Sequence, residues 1–286
     1  MGVKDLISFV KKQSKEVFSK SFATWQEEEN ASRPDKRLRI AIDVPILAYK
    51  LAYASGTDAL VPRILAFATT FTKNTGTPVF VFDGDSLPEK SEEKAKRALA
   101  FQKRGPPPER ESRRLFADDE FDIVIELGPA ACKQPCKNDY KLMKEALLNA
   151  GYECATAKFE AEALCAYLCV QESVDAVLTE DSDAFAYFSP KVILKYGSPE
   201  CIVVKSLDMC AALDVSQEAF IDFCVLLGND FNDRIHLVGP VKALALLKKH
   251  DTLRAVLDSL DVTEEKKVRM ERTGTIFRSF CFEELT

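Results

Sequence analysis

Seven acidic residues stand at the ends of apolar segments of the chain: Asp43, Asp83, Asp181 and Asp183 follow strand-like runs, Glu160 and Glu162 open a helix, and Asp230 ends one. Two like charges about 4 Å apart repel by roughly 4 kcal/mol at an effective dielectric of 20, so such a set shares one site only if protons or cations neutralise it. Carboxylate oxygens without Cys or His partners select hard divalent ions, Mg2+ with Mn2+ as a substitute. Two such ions roughly 4 Å apart form the clamp used in phosphodiester hydrolysis. Taken singly, each acid has a plainer reading, because an Asp after a strand caps the next helix and a Glu in a first turn favours the helix dipole. That reading does not explain why the acids gather at strand ends while basic partners stand elsewhere in the sequence.

Other chemistry is scarce. Two histidines, His236 and His250, leave little room for a zinc centre or a Ser-His-Asp triad. The nine cysteines form an odd set without C-x-x-C spacing, which reads as reduced thiols of an intracellular, nuclear or cytoplasmic protein. Cys132 and Cys136 have no second pair or His beside them to complete a metal site. No run of 18 apolar residues occurs, so no membrane partner is expected.

The elements that must position these acids follow from hydrophobic patterning. Arg39 to Asp43 reads as a buried strand, followed by helices from about Pro45 and from Asp58 to Asn74. Pro78 to Asp83 and Asp175 to Thr179 read as further buried strands, and 192–195 and 201–204 as a pair. Helical patterns run from Glu89 to Arg104 and from Asn138 to Ala150, and after Ser206 everything reads as helix. The polar span Ala23 to Arg37, with Glu27-Glu28-Glu29, reads as a loop or insertion. The fold class is therefore α/β: a mostly parallel central sheet wrapped by helices, with a C-terminal helical module. The expected division is 1–205 and 206–286. In an open parallel sheet the carboxyl ends of the strands share one edge where ligands bind, so the acids should converge there.

The motifs Ile40-Ala-Ile-Asp43, Val81-Phe-Asp83-Gly84, Phe159-Glu160-Ala-Glu162-Ala163, Thr179-Glu-Asp181-Ser-Asp183-Ala-Phe185 and Leu226-Leu-Gly-Asn-Asp230-Phe231 resemble, in order and spacing, those of the flap endonuclease family of structure-specific 5' nucleases. The resemblance spans roughly residues 1 to 260, and the closeness of the N-terminal and internal nuclease regions is similar to its compact members. It implies the PIN-like 5' nuclease fold and a two-ion site held by the seven acids. It gives Lys90 and Arg97 a contact with the scissile phosphate, Tyr49 a stacking role on the base beside the cleavage point, and Gly2 a place against the active site. For Tyr49 a core tyrosine of the first helix remains the alternative.

The chain has a net charge of −6, yet residues 94 to 114 hold eight basic and two acidic side chains, a local +6. That segment, with Lys94, Lys96, Lys103 and Arg104, reads as an electrostatic footprint for nucleic acid, with a solvated helix face as the plainer reading. Its position resembles the family's helical arch, spanning about 89–150. The stretch Asn232 to Lys242 resembles the family's helix-turn-helix, about 216–260, in which Gly239 and Lys242 would hold a duplex backbone without reading sequence. Two departures stand out: Leu237-Val238-Gly239 carries one glycine where the family loop has two, and Gly105-Pro-Pro-Pro108 interrupts the arch. Nothing after Arg272 resembles a sliding-clamp motif. The reading is a divalent-metal phosphodiesterase acting on 5' flaps, nicks or branched DNA. An RNA endonuclease of the same fold and a non-catalytic nucleic-acid-binding protein are its rivals.

Overall fold

The computed structural model describes residues 2–90, 134–250 and 252–283. Among these, six strands form one sheet: β1 (Arg39–Asp43), β2 (Thr77–Phe82), β3 (Glu153–Thr156), β4 (Ala176–Leu178), β5 (Lys191–Leu194) and β6 (Ile202–Lys205). Their order is β3-β2-β1-β4-β5-β6. Every pairing is parallel except β5 with β6, so the mostly parallel sheet expected from the sequence is the one formed. Central β1 is buried on both faces through Ile40, Ala41 and Ile42, which is why it reads as an unbroken apolar run. The chain builds outward from β1 to β3, then returns to the other side of β1 with β4. The connections leave β1 and β4 in opposite directions, and a crevice opens at their carboxyl ends. Asp43 ends β1 there.

Helices cover both faces. On one, Val44–Ser55, Leu60–Asn74 and Lys137–Asn149 bury Leu47, Leu51, Ile64, Phe67, Phe71 and Leu147 against Ile42 and Phe80. On the other, Ala161–Val170 packs beneath β1 and β2. The C-terminal helices are not a separate body, because Phe220, Phe223, Phe231 and Phe277 share one core with Phe9, Ala166, Phe185 and Val204. Among the described residues no helix is long and apolar enough to cross a membrane.

Two expectations are corrected. Most of Ala23 to Arg37 is not a loop, since Phe22–Ser32 is a helix capped by Ser21, whose Oγ accepts the Thr24 N–H at 3.1 Å, and only 33–37 are irregular. It buries only Phe22 and Trp25, so its apolar stripe is too thin to mark it. Its polar residues are held instead by distant partners: Glu29 accepts from Trp25 Nε1 at 3.0 Å and from Lys191 at 2.7 Å, and Arg33 donates to Asp175 at 2.6 Å. The second correction is the edge strand β3, half exposed and four residues long, which left no alternating pattern to read. The expected helix from Glu89 begins with a single 3-10 turn, Pro88–Lys90, and the remainder lies outside the described residues.

Candidate active site

β1 and β4 lie side by side with Ile42 opposite Leu178, so Asp43 falls next to Thr179. The Thr179 hydroxyl donates to Asp43 Oδ2 at 2.6 Å and accepts the Asp181 N–H at 3.0 Å. One threonine thus ties two acids from different strands. Asp43 also caps the following helix, accepting from Ile46 N–H at 3.5 Å, so the capping role and membership of the cluster coexist. Glu180 points away and accepts from Lys50 Nζ at 2.8 Å and the Lys195 N–H at 2.7 Å.

Asp83 follows β2 and accepts the Ala161 N–H at 2.9 Å, at the start of the helix Ala161–Val170. This fixes it beside Glu160 and Glu162, and one carboxylate oxygen from each of the three lies within 4.8 Å of the others. The approach needs Gly84, because a Cβ there would sit 2.0 Å from the Ala157 carbonyl and 2.4 Å from that of Lys158. Asp230 enters on the turn after Gln217–Leu227, which Asn229 shapes by accepting the Phe231 and Asn232 N–H groups at 2.9 and 3.2 Å. Gly2 lies against the same site. A Cβ on it would be 2.0 Å from Asp181 Oδ1 and 2.9 Å from Asp183 Oδ1, and its φ of +81° is one that side chains rarely adopt.

Six of the seven acids are buried; Asp83 alone is exposed. Burial pushes Asp43 well above the usual carboxylate range, and the Glu162 charge adds to it. Glu160 is raised to about 7 by burial and then by Glu162, against the pull of Lys90. Asp181 is raised to about 6 by burial and Glu162. Asp183, fully buried and next to Asp181, is raised well above its ordinary value. Among the described residues neither of its carboxylate oxygens has a hydrogen-bond partner. A buried carboxylate without a donor is costly, and a cation is the partner that would relieve Asp183 in this set of carboxylate oxygens. The residues present therefore fit divalent metal.

Basic partners do not all stay away, contrary to the sequence expectation. Lys90 lies inside the cluster, 7% exposed, with Nζ 2.5 Å from Glu160, 3.1 Å from Glu162 and 3.9 Å from Asp230. Tyr49 is 40% exposed, not a core tyrosine, and its hydroxyl is 3.5 Å from Gln134 Oε1. Arg97, Lys94, Lys96, Lys103 and Arg104 lie outside the described residues. Gly239 caps the helix Pro240–Lys249 and Lys242 is exposed in its first turn, on the stretch that follows Asp230. Thr179, Gly84, Asn229 and Asn232 position the cluster, yet only the presence of the first three within the acid-bearing motifs hinted at it, and nothing marked Asn232 for that role.

A family model described as XPG I-region matches residues 151–230, the stretch carrying five of the seven acids. The chain is 30% identical over 225 residues to flap endonuclease 1 of Encephalitozoon cuniculi, a match covering 72% of this chain and 59% of that protein. Against flap endonuclease 1-A of Sorghum bicolor identity is 32% over 195 residues, 64% of this chain and 48% of the relative. The chain thus spans between about half and three fifths of these curated relatives. The catalytic core of Rad2 in complex with DNA substrate shares the fold, with a TM-score of 0.61 at 19% identity, over 88% of this chain and 81% of that one.

Proposed function

The chain belongs to the flap endonuclease family, and from there we propose that it hydrolyses phosphodiester bonds in branched or nicked DNA, near the junction of a 5' single strand with a duplex. The observation that carries this reading is the buried Asp183 carboxylate without a donor, set among acids converging on the sheet's carboxyl edge. Asp43, Asp83, Glu160, Glu162, Asp181, Asp183 and Asp230 would hold two Mg2+ ions, with Mn2+ as a substitute. When bound, such ions supply an acidified water and neutralise charge on the leaving oxygen.

The chain's own residues supply the rest. The Thr179 hydroxyl orients the Asp43 carboxylate and holds the Asp181 backbone N–H, so the two residues are tied to one point. Lys90 brings a positive charge to the scissile phosphate from within the cluster. Exposed Tyr49, on the helix that starts at Asp43, offers a ring to a base at the cleavage point. The turn at Gly239 and the exposed Lys242 would grip duplex backbone through amides and charge, reading shape rather than sequence. The helices from Ser206 onward act as the duplex-holding part of the molecule.

The test is a panel of flap, nicked, gapped and hairpin DNA and single-stranded RNA, with Mg2+ or with chelator, using the parent and Asp181→Ala. The expected result is Mg2+-dependent cleavage of the flap near its junction by the parent, and a loss of at least a hundredfold in Asp181→Ala with duplex binding retained. Faster cleavage of RNA than of any branched DNA would overturn the substrate assignment. Equal rates in parent and variant would overturn the site.

A further inference from the structure

We propose that Lys90 is the resident counter-cation of the Glu160–Glu162–Asp230 side of the site and competes with a divalent ion there, so that the two sides of the acid cluster load with unequal affinity. The inference rests on the metal-site reading above and concerns what this chain puts in the way of its own ions.

The two sides differ in what neutralises them. Around Glu160, Glu162 and Asp230 the Lys90 ammonium lies 2.5, 3.1 and 3.9 Å from the three carboxylates and 4.9 Å from the centre of the Phe231 ring. It is buried, and an ammonium out of water is stable only when well paired. Its partners are the carboxylates of Glu160 and Glu162, both within hydrogen-bond reach, with Asp230 just beyond. Asp83, Glu160 and Glu162 form the described group whose oxygens are close enough to share one ion, and two of those three carboxylates already accept from Lys90. Among the described residues, Asp183 has both oxygens buried without a hydrogen-bond partner. Asp181 Oδ1 accepts the Asp183 N–H at 3.0 Å. Lys90 therefore bonds Glu160 and Glu162 directly, while its charge reaches Asp181 and Asp183 only through space. An ion arriving at Asp183 meets open oxygens, whereas an ion arriving at Glu160 and Glu162 must displace the ammonium they hold.

The experiment is a Mn2+ titration followed by electron paramagnetic resonance of the free ion, on the full chain as parent, Lys90→Met and Lys90→Gln. Met keeps the length and packing against Phe231; Gln keeps donors without the charge. The expected parent isotherm has two classes of site, the weaker at least tenfold weaker. In both variants the weaker class should tighten by at least tenfold while the tighter one is unchanged. In chelator the variants should melt below the parent, because they leave buried carboxylates uncompensated, and saturating Mn2+ should close that gap. Should Lys90→Met fail to fold in chelator, the Lys90→Gln isotherm decides alone. Two-site binding with the same isotherm in parent and variants would overturn the proposal and leave the metal-site reading standing. No Mn2+ binding by any of the three would overturn the metal-site reading, and this proposal with it.

Discussion

With no ion present, the protein should lose stability as the pH rises, and divalent metal should reverse that slope. Glu160 is held at about 7 and Asp181 at about 6, both raised by burial and by Glu162. In the unfolded chain they titrate near ordinary values of about 4.3 and 3.9. A group whose folded pKa is raised binds its proton more tightly in the folded state, so its stabilising contribution is complete below the unfolded pKa and disappears as the pH climbs through the folded one. At 1.36 kcal/mol per unit, going from pH 5.5 to 8 removes about 2 kcal/mol through Glu160 and about 1 kcal/mol through Asp181. At roughly 2 °C per kcal/mol for a chain of this size, that is a fall in melting temperature of about 6 °C. Bound metal requires ionised ligands, so its stabilisation grows with pH over the same window. The assay is thermal unfolding by circular dichroism at pH 5.5 and pH 8, in chelator and in 10 mM Mg2+. The difference between the two conditions isolates the site from carboxylates elsewhere that titrate the same way in both. A gap between Mg2+ and chelator that is equal at the two pH values would refute the account, because the raised acids would then not be where the metal binds.

Two substitutions probe the backbone around the site. Gly2→Ala places a Cβ 2.0 Å from Asp181 Oδ1 at a left-handed φ, so the segment must peel away or push the loop aside. With a left-handed penalty of about 1–2 kcal/mol added to the clash, cleavage should fall roughly tenfold or more and the melting temperature by a few degrees; parent-like values of both would show that Gly2 is not part of the site. Leu237→Gly should do the opposite, because Leu237 sits at φ 59° and is 77% exposed, paying strain without burying its side chain. A gain of about 1 kcal/mol in urea unfolding is expected, and a loss would mean that the Leu237 side chain holds the turn.

What the sequence disclosed was set by how local the cause was. β1, β2 and β4 were legible because each is an apolar run buried on both faces and stopped by an acid or a polar turn, a pattern complete within six residues. Asp43, Asp83 and the Asp181–Asp183 pair were legible for the same reason, since each ends or closely follows a strand-like run. The helix Phe22–Ser32 was not, because what anchors it is a charge network reaching Asp175 and Lys191, more than 140 residues away in sequence. Lys90 was legible as a functional residue only through family resemblance. Nothing in its neighbours signals burial, since the groups that stabilise its charge are Glu160 and Glu162, some 70 residues later.

The sheet by itself explains only part of the convergence. Strand pairing sets Asp43 beside Thr179 and, two residues along the ladder, brings Asp83 next to it. The other acids arrive on loops and in the first turns of helices, and these are stitched by backbone contacts that tolerate no side chain at two positions. At Gly84 the chain leaving β2 donates from Gly84 and Asp85 N–H to the Phe159 and Lys158 carbonyls, both at 2.8 Å, which draws Glu160 and Glu162 in. At the start of the chain Gly2 lies on Asp181 and Asp183, the Ser182 hydroxyl donates to the Val3 carbonyl at 3.2 Å, and the Lys4 N–H donates to the Gly228 carbonyl at 2.9 Å. That segment therefore ties the Asp181–Asp183 loop to the turn bearing Asp230. Mutual repulsion would separate these acids if the loops were free to move, so the two glycine contacts hold the charge density that a divalent ion is needed to relieve.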